Sequence, residues 1–251
     1  MKQPAIFNWS GGKDSALALY HVLQGQQYDV KVLLTTVSEP HQRISMHGVR
    51  VALLEQQAAS LGLACHQLPL PEIPSMDAYE QLMTATLQDL QQRHGATVAI
   101  FGDIFLEDLR RYRETKLAEL GWQAVFPLWG RATPALMREF LDLGFKTITT
   151  CVNEKYLDQS FAGRVIDEDF LRELPSNVDP CGENGEFHTF VFDGPLFQRP
   201  VAFEVGEVVY RKYTPAPKTD DADYECGDQT DPSPFDTGFW YCDLLPACRL
   251  R

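Results

Sequence analysis

The sequence is poor in positive charge, and it has no C-x-x-C pair and no apolar run of membrane-spanning length. Among its 251 residues, 22 lysines and arginines stand against 35 aspartates and glutamates, for a formal net charge of −13. Proteins that bind nucleic acids usually present a basic face, so this balance disfavours a nucleic-acid substrate. The six cysteines lie far apart, which disfavours zinc and dithiol redox motifs. Nothing resembles a secretory signal, and we expect a cytoplasmic protein with no membrane segment.

The most informative stretch is a loop of six consecutive residues: Ser10, Gly11, Gly12, Lys13, Asp14 and Ser15. It follows an apolar run typical of a strand and precedes a run with apolar residues at helical spacing. Paired glycines let a backbone approach an anion closely, and a helix start adds unpaired N–H groups and partial positive charge. The loop therefore predicts a cradle for phosphate groups. Asp14 stands where a Walker A loop needs Ser or Thr, so this loop is of another kind, and an acidic residue there suits Mg²⁺.

Strand and helix patterns alternate from residue 5 to residue 152, which favours a parallel sheet covered by helices on both faces. Apolar and β-branched runs predict strands at 5–9, 30–37, 64–70, 97–101, 124–126 and 146–152. Helical spacing predicts helices at 16–23, 49–61, 76–93, 107–120 and 134–143. Ligands bind at the carboxyl ends of parallel strands, so we expect four loops to converge on one site: 10–15, 35–48, 102–113 and 151–156.

The pattern changes after residue 153, which predicts a first domain at 1–153 and a smaller α+β substrate module at 154–251. In this module a short helix at 167–174 precedes alternating runs at 187–192 and 201–205, which are typical of antiparallel strands. Residues 214–237 are acidic and proline-rich and predict an insertion. The aromatic run at 239–244 is too apolar to lie in water, so we expect it to pair antiparallel with the strand that begins at 201.

A carboxylate and two arginines follow the strand predicted at 97–101. Gly102 and Asp103 end that strand, and Arg110 and Arg113 lie three residues apart on the next predicted helix. Such a group suits a metal–phosphate or carboxylate ligand. The alternative is a solvated helix face with local ion pairs, but the position at the carboxyl end of a strand favours the functional interpretation.

The second cluster is a glycine-rich turn that begins at Cys181 and carries Glu183 and Glu186 ahead of an apolar strand. Paired carboxylates in such a turn suit a metal, an ammonium ion or the role of general base. Taken alone, a hairpin turn with exposed acids explains the same residues as well.

Residues 10–15 resemble the signature of the ATP pyrophosphatase (PP-loop) superfamily, whose members generally split ATP between the α and β phosphates. Over roughly residues 5–205 the chain also resembles the diphthine–ammonia ligase family, because further motifs occur in that family's order: Gly102-Asp103, Pro127-Leu128-Trp129-Gly130-Arg131, residues 181–186 and Asp193-Gly194-Pro195-Leu196-Phe197. Ser45-Met46-His47 resembles the family's substrate loop. The resemblance implies an adenine nucleotide α hydrolase-like (HUP-type) fold with a PP-loop ATP-binding domain at 1–153.

The resemblance also implies a two-step reaction with Mg²⁺ and ATP. A carboxylate attacks the α-phosphorus, pyrophosphate leaves, and ammonia displaces AMP to give an amide. The implied nucleotide-binding residues are the loop 10–15 with Thr35, Val37 and Gly102, and the implied metal ligands are Asp14 and Asp103. Lys13, Asp14, Glu183 and Glu186 carry the implied chemistry, the two glutamates binding ammonium or taking its proton. The implied substrate contacts come from His47, Asp103, Arg110, Arg113 and Cys181.

The expected partners are ATP, free ammonia or ammonium, and an unidentified carboxylate, for which the family implies protein-borne diphthine. The sequence leaves the oligomeric state open, a homodimer included. Two other interpretations stand beside the ligase. One is a PP-loop tRNA-modifying enzyme of the thiolation type with Cys181 as sulfur carrier, which the acidic balance disfavours. The other is a non-catalytic ATP-binding protein, which the Lys13–Asp14 pair and the two glutamates disfavour.

Overall fold

Two β-sheets organise the chain in the computed structural model, which describes residues 2–72, 74–212 and 237–247. The first sheet is formed by β1 (Gln3–Asn8), β2 (Tyr28–Ser38), β3 (Arg43–Ile44), β4 (Cys65–Leu70), β5 (Val98–Ile100) and β6 (Gln123–Val125). The second is formed by β7 (Lys146–Asn153), β8 (Phe187–Asp193), β9 (Phe203–Lys212) and β10 (Gly238–Pro246). The helices are α1 (Lys13–Gly25), α2 (Val51–Leu61), α3 (Met76–His94), α4 (Glu107–Glu119), α5 (Thr133–Asp142) and α6 (Glu168–Glu173).

The first sheet is parallel except for β3. Its strands run in the order β4-β2-β1-β5-β6, and β3 pairs antiparallel with the last residues of β2. One edge of β2 pairs with β4 along residues 33–38. On the other edge of β2, the pairing with β1 ends at Asn8, and β3 pairs with the residues of β2 beyond that point. The loop that follows β3 is thereby brought beside the loop that follows β1.

Helices cover both faces of this sheet, as the alternation of strands and helices predicts. Alternate residues of β1 point into two cores: Phe7 packs with residues of α1 and α2, and Ile6 packs with residues of α3 and α4. Both side chains are fully buried. Burial of such a side chain stabilises the fold by about 1.5–3 kcal/mol. The predicted α/β fold with a parallel, doubly wound sheet is confirmed, and it is consistent with the HUP type.

Strand β7 corrects the sequence-based topology. We expected residues 146–152 to extend the parallel sheet, but β7 lies in the second sheet, which is antiparallel throughout and ordered β8-β7-β10-β9. Seven of its eight residues are buried. A strand buried on both faces has the same sequence pattern at the centre of either kind of sheet, which explains the error. The proposed division into domains at residue 153 stays a prediction.

The C-terminal hairpin was predicted correctly. Strand β10 pairs antiparallel with β9 along its length, from Gly238 opposite Lys212 to Pro246 opposite Phe203. It also pairs with β7, which the sequence did not indicate. Most of the acidic segment predicted at 214–237 lies outside the described residues. None of the helices in the described ranges has the length and apolar character needed to cross a membrane.

Candidate active site

The loop at residues 10–15 joins β1 to α1 and is held by contacts to two other elements. Gly11 has a φ of +80°, a conformation that favours glycine, and a Cβ there would lie 2.9 Å from Oε1 of Gln57. Its carbonyl accepts hydrogen bonds from Nε2 of Gln57 on α2 at 3.0 Å and from the Val191 N–H on β8 at 2.9 Å. Helix α2 and strand β8 therefore fix the path of this loop.

Hydroxyl groups close this loop onto the start of α1. Oγ of Ser10 lies 2.8 Å from Oγ of Ser15, and the Gly12 N–H donates to Ser10 Oγ at 3.3 Å. Gly12 is the N-cap residue and supplies no side-chain acceptor, and the Lys13 N–H donates to Oγ1 of Thr189 on β8 at 3.0 Å. The Gly12 and Lys13 N–H groups are thus paired within the protein, and the rest of the first turn and the helix dipole favour an anion.

Lys13 supplies a buried cation beside this anion site. Its ammonium donates to Oδ2 of Asp14 at 2.7 Å and lies 5.4 Å from the centre of the Phe187 ring, while its side chain is only 3% exposed. Burial lowers the pKa of Lys13, but the charge and hydrogen bond of Asp14, together with smaller contributions from Glu183 and other groups, raise it above the ordinary value. Lys13 therefore stays charged at neutral pH.

A cavity of about 1080 Å³ opens above this loop. Three of the four loops predicted to converge line it, namely 10–15, 35–48 and 102–113. The loop at 151–156 does not line it. The cavity also extends between α3 and α4, where apolar side chains such as Met83 and Leu109 and charged ones such as Glu80 and Lys116 line it. Sequence reasoning did not predict this part of the cavity.

Only some of the residues predicted to act together at 102–113 line the cavity. A Cβ on Gly102 would lie 2.9 Å from the Ser15 backbone nitrogen, so this glycine allows β5 to approach the first turn of α1. Asp103 lines the cavity and accepts from Nη1 of Arg113 at 2.7 Å. Burial raises the pKa of Asp103, which Arg113 partly counteracts and the charge of Asp14 reinforces.

Arg110, which we placed with Arg113 on one face, lies outside the cavity lining. Its guanidinium stacks 4.6 Å from the Trp129 ring and 5.2 Å from the Phe126 ring, and its Nε donates to Glu114 at 2.7 Å. This residue therefore packs α4 against the turn that follows β6. A substrate contact from Arg110 finds no support in these contacts.

The two glutamates of the glycine-rich turn have different surroundings. Glu183 lines the cavity and accepts one hydrogen bond, from the Ile104 N–H at 2.8 Å. Its pKa is raised to about 7, chiefly by burial and then by the charge of Asp14, while the Ile104 N–H and Lys13 act in the opposite direction. Near neutral pH this carboxylate therefore exchanges a proton readily.

Glu186 lies outside the cavity lining and is 1% exposed. Its carboxylate accepts hydrogen bonds from the Asp179 N–H at 3.0 Å, the Asn184 N–H at 2.9 Å and Nδ2 of Asn184 at 3.1 Å. Asp179, which sequence reasoning missed, accepts from the Cys181 N–H at 2.8 Å. Glu186 and Asp179 thus fix the path of the turn from its two ends.

Cys181 is buried beside the phosphate loop and lines the cavity. Its thiol contacts the Thr133 carbonyl at 3.6 Å, and burial raises its pKa well above the ordinary value. The thiolate is the nucleophilic form of cysteine. A sulfur-carrier role for Cys181 is therefore disfavoured by its surroundings.

Two histidines stack against each other at the wall of the cavity. The rings of His47 and His188 have centroids 4.6 Å apart, and Nδ1 of His47 lies 3.2 Å from the Thr189 carbonyl. Burial lowers the pKa of His47 to about 4, and that of His188 falls well below its ordinary value for the same reason. Both rings are neutral at physiological pH. His188 and Thr189 belong to the motif at 181–189, but no role had been assigned to them.

The two residues predicted beside adenine differ in exposure to the cavity. Thr35 lines it, and its hydroxyl donates to the Trp9 carbonyl at 2.7 Å. Val37 lies in the hydrophobic core, 3% exposed, and outside the lining. Thr35 is therefore the better placed of the two to contact a nucleotide.

Comparison with known protein families identifies the class of protein. A family model described as the diphthamide synthase N-terminal domain matches residues 1–124, and one described as the diphthamide synthase C-terminal domain matches residues 132–214. Together they cover most of the chain. The chain therefore belongs to the diphthine–ammonia ligase family.

Curated relatives agree with this assignment. The chain is 34% identical over 113 residues to a diphthine–ammonia ligase of Danio rerio, and this alignment covers 41% of this chain and 43% of the relative. It is 31% identical over 139 residues to a diphthine–ammonia ligase of Homo sapiens, covering 53% of this chain and 50% of the relative. The aligned part spans about half the length of these relatives.

Proposed function

We propose that this chain is an ATP-dependent ligase that joins ammonia to a substrate carboxylate and forms AMP and pyrophosphate. One observation supports this most strongly: the phosphate loop, Asp103 and a carboxylate of pKa about 7, Glu183, all line one cavity. Perturbed carboxylates in a large cavity are typical of catalytic sites. The names of the curated relatives support the same class of reaction.

ATP would bind with its phosphates on residues 10–15. The glycines let the backbone approach the phosphates, and the start of α1 supplies N–H groups and a partial positive charge. Lys13, which stays protonated, would offset the charge of the departing pyrophosphate. Adenine would lie near Thr35, at the carboxyl end of β2.

Mg²⁺ fits the oxygen donors of Asp14 and Asp103. Both carboxylates line the cavity, their side chains are 28% and 14% exposed, and the charge of Asp14 raises the pKa of Asp103. Within the described residues no group of three His, Cys, Asp or Glu side chains could hold a metal. Mg²⁺ commonly binds through one or two carboxylates together with phosphate oxygens and water. When bound, it would neutralise phosphate charge.

In the first proposed step an oxygen of the substrate carboxylate attacks the α-phosphorus of ATP. A new O–P bond forms, the bond to the bridging oxygen between the α and β phosphates breaks, and pyrophosphate carries away the electron pair. The product is an acyl adenylate. The chain contributes by fixing the phosphates on a loop that α2 and β8 hold in place.

In the second step ammonia attacks the acyl carbon, the bond from this carbon to the AMP oxygen breaks, and the nitrogen loses a proton to leave an amide. Nitrogen that arrives as ammonium must lose a further proton before it can attack. Glu183, with a pKa of about 7, can attract ammonium when ionised and accept that proton. Glu186 would act by holding the turn that carries Glu183.

The acceptor would be a carboxylate of the diphthine type, presented by a protein. The cavity volume of about 1080 Å³ reaches the upper end of the range for small-molecule sites, which leaves room for a nucleotide and an acceptor side chain together.

Product analysis tests this proposal. The chain is incubated with ATP, with and without ammonium and a protein that carries diphthine, and the nucleotides are separated. The proposal predicts AMP and pyrophosphate that depend on the acceptor. Formation of ADP would contradict it, and binding without turnover would favour the non-catalytic interpretation.

A further inference from the structure

The loop that carries His47 is held over the phosphate loop by one carboxylate of the last strand. His47 stands at the cavity wall, and its Cε1 lies 3.1 Å from the point that a Cβ on Gly12 would occupy. Any movement of this loop therefore changes the space above residues 10–15.

The loop is short and conformationally demanding. Within it the Ile44 N–H donates to the Val49 carbonyl at 2.7 Å and the Gly48 N–H donates to the Ile44 carbonyl at 3.0 Å. Met46 and Gly48 have φ values of +65° and +69°, and Met46 is 59% exposed. A non-glycine residue in this region is disfavoured and persists only where surrounding contacts impose it.

Those contacts converge on Asp243. Its Oδ1 accepts from Nη1 of Arg43 at 2.8 Å and from Nε of Arg50 at 3.0 Å, and its Oδ2 accepts from Nη2 of Arg50 at 2.6 Å. Nη1 of Arg43 also donates to the Gly48 carbonyl at 2.6 Å. Arg43 and Arg50 pair across the base of the loop, so one carboxylate joins both of its ends.

The backbone of β10 is shaped for this contact. The pairing register with β9 shifts between Cys242 and Leu244, so Asp243 lies at an irregularity in the strand. Such irregularities commonly re-aim a side chain. The Tyr241 ring adds a second contact, since its Cδ1 lies 3.0 Å from the point that a Cβ on Gly48 would occupy.

The Asp243 carboxylate is ionised at physiological pH. Although burial would raise its pKa, hydrogen bonds from Arg50 and Arg43 lower it to about 2. A bidentate arginine–carboxylate contact also fixes orientation, which a simple ion pair does not. The side chain is 22% exposed, so the contact is partly shielded from water.

We infer that Asp243 is a positioning residue that holds the loop at 45–48 so that His47 occupies the site above the phosphate loop. This inference rests on the proposed ligase function. Asp243 lies beyond residue 214, where the match to the family model ends. It acts through Arg43, Arg50 and His47.

A double-mutant cycle tests this role. Asp243→Ala and His47→Ala are each expected to lower kcat for AMP formation by roughly 10–100-fold, the scale of a misplaced catalytic group. If Asp243 acts through His47, the double variant is no more than about 3-fold slower than the slower single variant. A purely structural role would give multiplied losses and would overturn the inference.

A matched control and a second variant guard against simple destabilisation. Asp193→Ala removes a carboxylate of the same exposure, 23%, from the same sheet, where it pairs with Lys146 at 2.9 Å, and it should leave kcat unchanged. Arg50→Ala removes two of the hydrogen bonds to Asp243 from outside the sheet and should reproduce part of the loss. Equal losses in the control and in Asp243→Ala would overturn the inference.

Amide hydrogen exchange separates this inference from the proposed function. The amide hydrogens of Ile44 and Gly48 should exchange at least about 10-fold faster in Asp243→Ala than in Asp193→Ala. The reason is that the hydrogen bonds of these two amides within the loop open more often once Asp243 no longer holds the loop. Equal exchange would overturn the inference even in an active enzyme. A wild-type chain that forms no AMP would refute the ligase proposal, and the exchange result would then decide by itself whether Asp243 positions the loop.

Discussion

Substitution of Glu183 by glutamine separates the roles of charge and shape in the glycine-rich turn. Glutamine has nearly the same size and its oxygen can still accept the hydrogen bond from the Ile104 N–H, which is 2.8 Å long in the native chain. It cannot take a proton near neutral pH. We therefore expect Glu183→Gln to keep ATP affinity within a few-fold and to lose amide formation by roughly 10²-fold or more, the usual scale for a general base.

The same substitution should change stability in a pH-dependent way. The pKa of Glu183 is about 7 in the folded chain and 4.5 ordinarily, so the folded state binds this proton more tightly. The free energy of unfolding of the native chain therefore falls as the pH rises from about 4.5 to about 7, and that of the Glu183→Gln variant does not fall for this reason. At about 1.4 kcal/mol per pH unit the difference is at most about 3 kcal/mol. Partial exposure reduces it to about 1–2 kcal/mol.

Thermal unfolding and steady-state rates measured between pH 4 and pH 9 test both expectations. Glu183→Gln should unfold a few degrees above the native chain at pH 8 and equally with it near pH 4. The native rate of amide formation should rise with pH through about 7, and the variant should lack this step. Lower stability of the variant at pH 8, or an unchanged rate, would refute the reasoning. Glu186→Gln is the comparison, since loss of its buried hydrogen bonds should destabilise the chain by about 1–3 kcal/mol at pH 8.

Three further changes test other parts of the site. Gly12→Val should abolish ATP binding measured by calorimetry, because its side chain would meet atoms of β8 and the phosphates, whereas Gly25→Val at the open end of α1 should not. Cys181→Ala should keep AMP formation within a few-fold, and complete loss would revive the sulfur-carrier interpretation. Replacement of residues 214–236 by Asn-Gly, with the buried Thr237 kept, should preserve AMP formation and the unfolding temperature, while truncation after Thr237 should destabilise the chain because it removes β10.

Local signals in the sequence were sufficient for the phosphate loop and for most strands and helices. The loop at 10–15 is recognisable because glycines, hydroxyls and a lysine have to be adjacent in the chain to surround one anion. The start of α2 shifted from residue 49 to Val51 because the Val49 carbonyl accepts the Ile44 N–H within the preceding loop. Such shifts of two residues come from contacts that helical spacing does not encode.

The surroundings of individual side chains could not be predicted. Glu183 and Glu186 are the same residue type in one turn, and only the hydrogen bonds from Asp179 and Asn184 show that Glu186 faces inward. Arg110 and Arg113 share a helix, yet aromatic rings hold the first away from the cavity.

Gln57 was missed for the same reason. A glutamine in the middle of an amphipathic helix looks like a solvent-facing residue, yet this one is fully buried. It joins Trp9, Gly11 and Val191 through three hydrogen bonds. Its importance depends on a contact from α2 to β8, between residues that are 134 positions apart in the sequence. A sequence pattern has no local sign of such a contact.

Isotope transfer tests the adenylation step most directly. A protein-borne diphthine whose carboxylate carries ¹⁸O is incubated with the chain, ATP and ammonium, and the nucleotide product is examined by mass spectrometry. Attack of the carboxylate on the α-phosphorus predicts one ¹⁸O atom in AMP, together with unlabelled pyrophosphate. Label found in inorganic phosphate alongside ADP, or AMP formed without any ¹⁸O, would contradict the proposed reaction.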